Sequence, residues 1–494
     1  MRFHSTRNVE LALSSAQAIT QGLSQDGGLF VPEEFPQLSA ERLRELGTMD
    51  YPRRAAAVMG MFLEDFSAAE LAAFTEKAYG GQFDDPSIAP VRRIDDRTAV
   101  LELWHGPTSA FKDMALQMLP LLLTASMKKT GETRSACILT ATSGDTGKAA
   151  LEGFRDVPGT RIMVFYPKDG VSDVQALQMT SQEGGNVGVS AVYGNFDDAQ
   201  AGVKKIFSDA GFREELDAKG WFLSSANSIN LGRLLPQVVY YVSAYCDMAA
   251  AGMIGMGEPV NFCVPTGNFG NILAGFYAKK MGLPVNKLIC ASNANDVLTD
   301  FIRTGTYDRN RPFFTTISPS MDILVSSNLE RMLFHLAGGD DAFVRTCMDG
   351  LASEGRYTVP GGLMDRMRET FACGCCGEDG TREQIARVFG TCGYLIDTHT
   401  AVAYRVLDEY RASTGDGTPS AVVSTASPYK FCGAVLEALG GASDGSGVEL
   451  IDRLNERTGV RVPGPLAALK GKQPRFTQCV EKQDMMEAVR RFIG

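Results

Sequence analysis

The 494-residue sequence has no excess of basic residues, no low-complexity tract and no repeat at a fixed period. It also lacks any long unbroken apolar run. Each absence removes a class of protein. With 58 Asp and Glu against 48 Lys and Arg, the formal net charge is -10, which argues against nucleic acid or an anionic membrane as partner. Residues 1–20 have no apolar core of the kind a secretory signal needs. The run 114–127 is interrupted by Gln117 and Pro120, and the run 238–256 contains Asp247. Neither supplies the ~18–20 apolar residues of a spanning helix. These absences predict a soluble, cytoplasmic protein. The 11 cysteines do not pair into a framework, and most sit inside apolar runs such as ACILTA and NFCVP, as reduced buried thiols do. Cys373, Cys375 and Cys376 cluster in ACGCCGE. With Cys392 or His399 they could supply soft ligands to zinc, but the paired C-x-x-C knuckles of such sites are missing, so free thiols and no metal are expected.

What is present is alternation. Residues 1–97 read as a mainly helical N-terminal domain. SAERLREL and DFSAAELAAFTEKAYG have helical spacing, and SAAE forms a capping box. Beyond residue 97 one phrase recurs: a short apolar run, a glycine-rich or polar loop, then an amphipathic helix. ACILTA leads through TSGDTG into KAALEGF, and RIMVFYP through KDGVS into DVQALQM. NVGVSAVYG, WFLSSA, VNFCVP, KLICASN and AVVSTAS each open a further copy. Such alternation predicts an α/β protein with parallel sheets covered by helices on both faces. Ligands of such folds bind at the carboxyl ends of strands, where these loops lie.

The loops carry the candidate chemistry. In VNFCVPTGNFGNILAGF, Gly267, Asn268, Gly270 and Asn271 fall between a strand and a helix. There the backbone can turn several N–H groups toward a phosphate, or simply make a tight turn. No G-x-G-x-x-G stands here, so a dinucleotide fold gains no support. TATSGDTGKAA resembles a nucleotide P-loop only superficially: Thr142 stands where glycine is required, and Ala149 follows Lys148. It leaves Ser143, Asp145 and Thr146 at a helix start, suited to a carboxylate or to plain capping. In LELWHGPTSAFKDMALQ, Lys112 is expected in a first helical turn beside Phe111. The helix dipole and burial there would both lower its pKa and free a nucleophilic amine.

In order along the chain, HGPTSAFKD, ATSGDTG, PTGNFGN and STASPYKF resemble the threonine synthase family. FHSTR and GLSQDGGLFVPEEFP near the start and YLIDTHTAVAYRVL near the end extend the resemblance over almost the whole sequence. The family comprises pyridoxal phosphate enzymes of the tryptophan-synthase β group, fold type II. The resemblance implies two lobes of parallel or mixed sheet flanked by helices, in residues 98–494. A smaller, mobile lobe at about 132–225 is inserted in this catalytic domain. It makes Lys112 the catalytic, Schiff-base lysine. Gly267, Asn268, Phe269, Gly270 and Asn271 would bind the cofactor phosphate, and Thr425 would meet the pyridine nitrogen. Residues Ser143, Gly144, Asp145, Thr146 and Gly147 would receive the substrate carboxylate and border the cofactor's 3'-hydroxyl. SANSINLGR nominates Asn227, Ser228, Asn230 and Arg233 for the substrate phosphate. Two departures, Thr398 where the family usually has proline and Ser427 where it has histidine, touch no proposed catalytic atom. The implied reaction turns O-phospho-L-homoserine and water into L-threonine and phosphate. The alternatives are a phospholyase acting on the same substrate and a serine/threonine dehydratase of the same group. Monomer and homodimer both remain open.

Overall fold

The computed structural model describes residues 1–494, with the side chain of Asp197 left aside. Each of the strand–loop–helix phrases read from the sequence forms the expected pair. VNFCVP, for example, becomes the strand Val260–Pro265, followed by the helix Gly270–Lys280. The strands Val187–Val192, Val260–Pro265 and Ser420–Ser424 are buried along their whole length, as strands covered on both faces must be, whereas the edge strand Trp221–Ser225 is mostly half-buried.

They divide between two sheets. The larger has six strands, in the order Phe371–Cys375, Val285–Ser292, Val260–Pro265, Ser420–Ser424, Thr98–Glu102 and Val91–Arg93. All pair in parallel except the edge strand Val91–Arg93, which makes the sheet mixed. That strand forms a hairpin with Thr98–Glu102, so a boundary at residue 97 cuts through the hairpin. The smaller sheet is wholly parallel and has five strands, in the order Cys479–Val480, Val187–Val192, Thr160–Pro167, Ser135–Ala141 and Trp221–Ser225. Its first strand comes from the far end of the chain, outside the 132–225 segment.

The N-terminal segment is helical, as expected, over Ala40–Gly47, Tyr51–Gly60 and Ala68–Tyr79, and the Ser67–Glu70 capping box is formed. It also contains an antiparallel sheet of three strands, Asn8–Leu13, Phe3–Ser5 and Phe30–Pro32, which its helical periodicity did not disclose. The helix Leu231–Ala250 is buried along most of its length and packs against both this segment and the larger sheet's helices. No described helix is long and apolar enough to cross a membrane.

Candidate active site

The loop after Thr98–Glu102 places Lys112. Its backbone runs alongside residues 424–427: Leu103 donates to the Ser424 carbonyl, Phe111 to the Thr425 carbonyl (2.8 Å), and Ser427 to the Ser109 carbonyl (3.1 Å). Ser109 takes a left-handed φ of 58°, and Asp113 accepts from the Thr108 amide (2.8 Å) and hydroxyl (2.7 Å). Lys112 and Thr425 are therefore brought together by main-chain bonds. Lys112 precedes the one-turn helix Asp113–Leu116 instead of lying within its first turn. A helix that short has little dipole, so the lowered pKa of Lys112 has another origin. Burial is the largest cause; the cations Lys430 and Arg233 act in the same direction, and Asp145 opposes them.

The SGDTG loop is less open than its sequence implied. Thr142 Oγ1 accepts the amides of both Gly144 (3.0 Å) and Gly147 (2.8 Å), which removes these two donors from any substrate carboxylate. Gly144, at φ 124°, packs against Gln175, and Gly147 packs against Thr142 and Val164. Ser143 and Thr146 face the cavity. Asp145 is buried behind them. Its Oδ2 lies 3.5 Å from Lys112 Nζ, and its Oδ1 lies 2.8 Å from Lys430 Nζ. Burial would raise its pKa, but the two lysines hold the carboxyl well below the usual carboxylate range.

The 267–271 loop is a cradle held from outside. Phe269 has a left-handed φ of 62° and turns its ring into the core beside Phe371, leaving its backbone at the cavity. Ser326 donates to the Gly267 carbonyl (2.8 Å), Ser327 to Asn268 Oδ1 (3.2 Å), and Asn328 Nδ2 to the Asn268 carbonyl (3.1 Å). Asn271 Oδ1 accepts the hydroxyls of Tyr240 (2.6 Å) and Tyr241 (2.8 Å), so its Nδ2 is left as a donor. That buried Nδ2 has no partner among the described residues. Together with the unpaired amides of a helix start, it fits an incoming phosphate.

SANSINLGR divides. Asn227, Ser228 and Arg233 line the cavity. Asn230 does not: its Oδ1 caps the helix at Gly232 (2.9 Å) and its Nδ2 reaches the Ile19 carbonyl (3.2 Å), so both ends of the side chain are committed to packing. Arg233 is 3% exposed and bonds the Ala226 carbonyl through Nη1 (2.9 Å). Its Nε has no partner among the described residues, and burial pushes its pKa down to about 10.

These groups line one cavity of about 980 Å3 between the two lobes. Several of its residues were not read from the sequence. Ser320 lies 3.5 Å from Lys112 Nζ, and its amide donates to His399 Nε2 (3.1 Å). His399 Nδ1 lies 2.9 Å from Asp397, which fixes the ring. His399 is thus committed to this wall of the cavity. Cys373 and Cys375 lie on the edge strand Phe371–Cys375, their thiols pushed up by burial like that of Cys376. Among the described residues no group of three or more His, Cys, Asp or Glu is placed to hold a metal ion.

A buried lysine at the carboxyl ends of the parallel strands of two sheets, beside a glycine cradle with an orphan donor, defines a pyridoxal phosphate-dependent enzyme of fold type II. Residues 99–427 match the family described as pyridoxal-phosphate dependent enzyme, 2–79 match the threonine synthase N terminus, and 400–493 the threonine synthase C-terminal family. The chain is 40% identical over 439 residues to the threonine synthase of Pseudomonas aeruginosa, covering 89% of this chain and 90% of that one. It is 43% identical over 434 residues to human threonine synthase-like 1, covering 86% of this chain but only 58% of that longer relative. The crystal structure of PLP-bound threonine synthase from Brucella melitensis superposes with a TM-score of 0.88 at 38% identity, covering 100% and 99% of the two chains. Threonine synthase from yeast gives 0.88 at 33% identity, covering 100% and 98%. The chain belongs to the threonine synthase family.

Proposed function

We propose that the protein is a threonine synthase, converting O-phospho-L-homoserine and water to L-threonine and phosphate in the cytoplasm. The observation that supports this most is Arg233, a buried guanidinium with an unpartnered Nε near the Lys112 nitrogen. A buried cation without a counter-charge is costly, so the site calls for an anion there. The 267–271 cradle, with the orphan Nδ2 of Asn271, calls for another. A phosphorylated cofactor and a phosphorylated amino acid meet both demands.

The roles follow from chemistry at each position. When bound, pyridoxal phosphate supplies an electron sink that lets protons leave carbon. Lys112, buried and with a lowered pKa, holds the cofactor and then accepts and returns protons as a free amine. Gly267, Asn268, Phe269, Gly270 and Asn271 hold the cofactor phosphate. Thr425 offers the pyridine nitrogen a neutral hydroxyl, which cannot keep a proton there as a carboxylate does. Ser143 and Thr146 receive the substrate carboxylate, with Asp145 behind them. Asn227, Ser228 and Arg233 hold the substrate phosphate.

The test is a product assay with O-phosphohomoserine. Equal amounts of phosphate and threonine support the reading. Phosphate with 2-oxobutyrate would identify a phospholyase instead, and absence of phosphate release would remove both.

A further inference from the structure

Asp145 is one carboxylate between two lysines. Its Oδ1 is taken by Lys430 Nζ (2.8 Å) and Gln175 Nε2 (2.8 Å), and its Oδ2 faces Lys112 Nζ (3.5 Å) and Ser320 Oγ (3.4 Å). Lys430 is 0% exposed, and its Nζ also bonds the carbonyl of Thr108 in the lysine loop (3.0 Å). Lysines are almost never fully buried without a partner, and the partner here also faces the reacting amine.

We propose that Lys430 is a positioning residue: it turns Oδ2 of Asp145 toward Lys112 and offsets the carboxylate's charge, so that the Lys112 nitrogen releases its proton. The proposal rests on Lys112 being the cofactor-bearing base. Were Asp145 the only neighbouring charge, it would form a buried ion pair with Lys112 and keep it protonated. With Lys430 present the carboxylate is already neutralised, and a second ammonium would be an uncompensated buried charge. The other facing groups do not reverse this. Arg233, from the helix Leu231–Ala250, is also a cation. Asp113 is buried with both oxygens on Thr108, and burial raises its pKa to about 6. Lys148 and Glu152, near Lys430, pair with each other at 3.0 Å. His399 reaches Lys112 only through Ser320 and is held by Asp397.

The experiment is a pH titration of the visible absorbance of the full-length, cofactor-loaded protein, which reads protonation at the Lys112 nitrogen without turnover. Lys430→Met should raise the midpoint by about one unit or more, Asp145→Asn should lower it, and Lys430→Arg should leave it near the parent value. Opposite movements from the two charge removals are a signature that a merely structural role would not give. Should Lys430→Met not fold, Lys430→Gln takes its place. An unchanged midpoint in the Lys430 variant, or movement of both charge removals in the same direction, overturns the proposal. A protein with no chromophore at Lys112 would instead overturn the reading of the lysine itself.

Discussion

The α-carbon of Gly267 lies against the main chain at Ser320: a β-carbon built on Gly267 would sit 2.6 Å from the Ser320 carbonyl oxygen. Gly270, in the same cradle, has more room, since a β-carbon there would meet the Asn328 amide nitrogen at 3.3 Å and Ser228 Cβ at 3.5 Å.

The two glycines should therefore respond differently. Gly267→Ala must push the Pro319–Met321 turn, and with it Ser320, away from Lys112, so cofactor affinity should fall by about 10-fold or more. Gly270→Ala needs only a small shift of a side chain and should lose less. Cofactor titration of both variants at matched folded fraction checks this. Equal loss would mean that backbone crowding at Ser320 does not govern the site.

Lys112 should carry the cofactor. Borohydride treatment of the coloured protein should fix the label on the peptide containing Lys112, and Lys112→Ala should lower turnover at least ~100-fold. A label on another lysine would count against the assignment.

Arg233→Ala should retain the cofactor spectrum while kcat/KM for O-phosphohomoserine falls ~10–150-fold, the effect of losing a charged hydrogen bond of ~1.5–3 kcal/mol. Arg233→Lys should recover only part, since an ammonium lacks the planar fork. Tyr240 bonds Asn271 of the cradle and also stands near Arg233, so a second outcome is informative. Lost cofactor affinity with normal substrate capture would move Arg233 from the substrate phosphate to the cofactor phosphate.

His105 gives the lysine loop a pH dependence. Burial alone would lower its pKa. Its nitrogens lie 2.6 Å from Asp84 and 2.9 Å from Glu102, and the net result is a rise to about 9. The folded pKa exceeds the unfolded value of about 6.5, so the stabilisation is complete below that pH and is lost as pH rises toward 9. Its size is at most on the order of 3 kcal/mol. Thermal melts between pH 6 and 9.5 should show the parent losing its advantage over His105→Gln across that window. Parallel curves would show that the imidazole titrates alike in both states.

The sequence disclosed those parts of the site that rest on neighbouring residues. AFKD, GNFGN and the strand–loop–helix alternation are each contained in a short stretch, and each forms a recognisable local unit in the structure. What escaped depends on residues distant along the chain. Lys430 reads as an ordinary lysine after a turn until Asp145 is placed beside it. Ser320, Ser326 and Asn328 stand in a largely irregular stretch held by contacts with residues distant in sequence, among them His399, Tyr307 and the cradle it covers. The members of the nominated motifs whose polar groups are engaged elsewhere have local reasons of the opposite kind. Asn230 is a helix cap, and the Gly144 and Gly147 amides belong to Thr142, so a motif's residues include its scaffolding as well as its contacts.

The edge strand Cys479–Val480 also constrains how the molecule is made. It closes one side of the sheet whose other strands lie between Ser135 and Ser225, and Arg161 of that sheet donates to the carbonyls of Phe492 and Ile493. During synthesis the smaller lobe emerges from the ribosome long before this strand exists. Until then Val187–Val192 presents an unpaired edge, the kind of surface that invites wrong partners. Residues translated long after Ser225 thus complete a lobe begun at Ser135, and a protein truncated ahead of Cys479 should aggregate as it is made, even with every residue of the cavity in place.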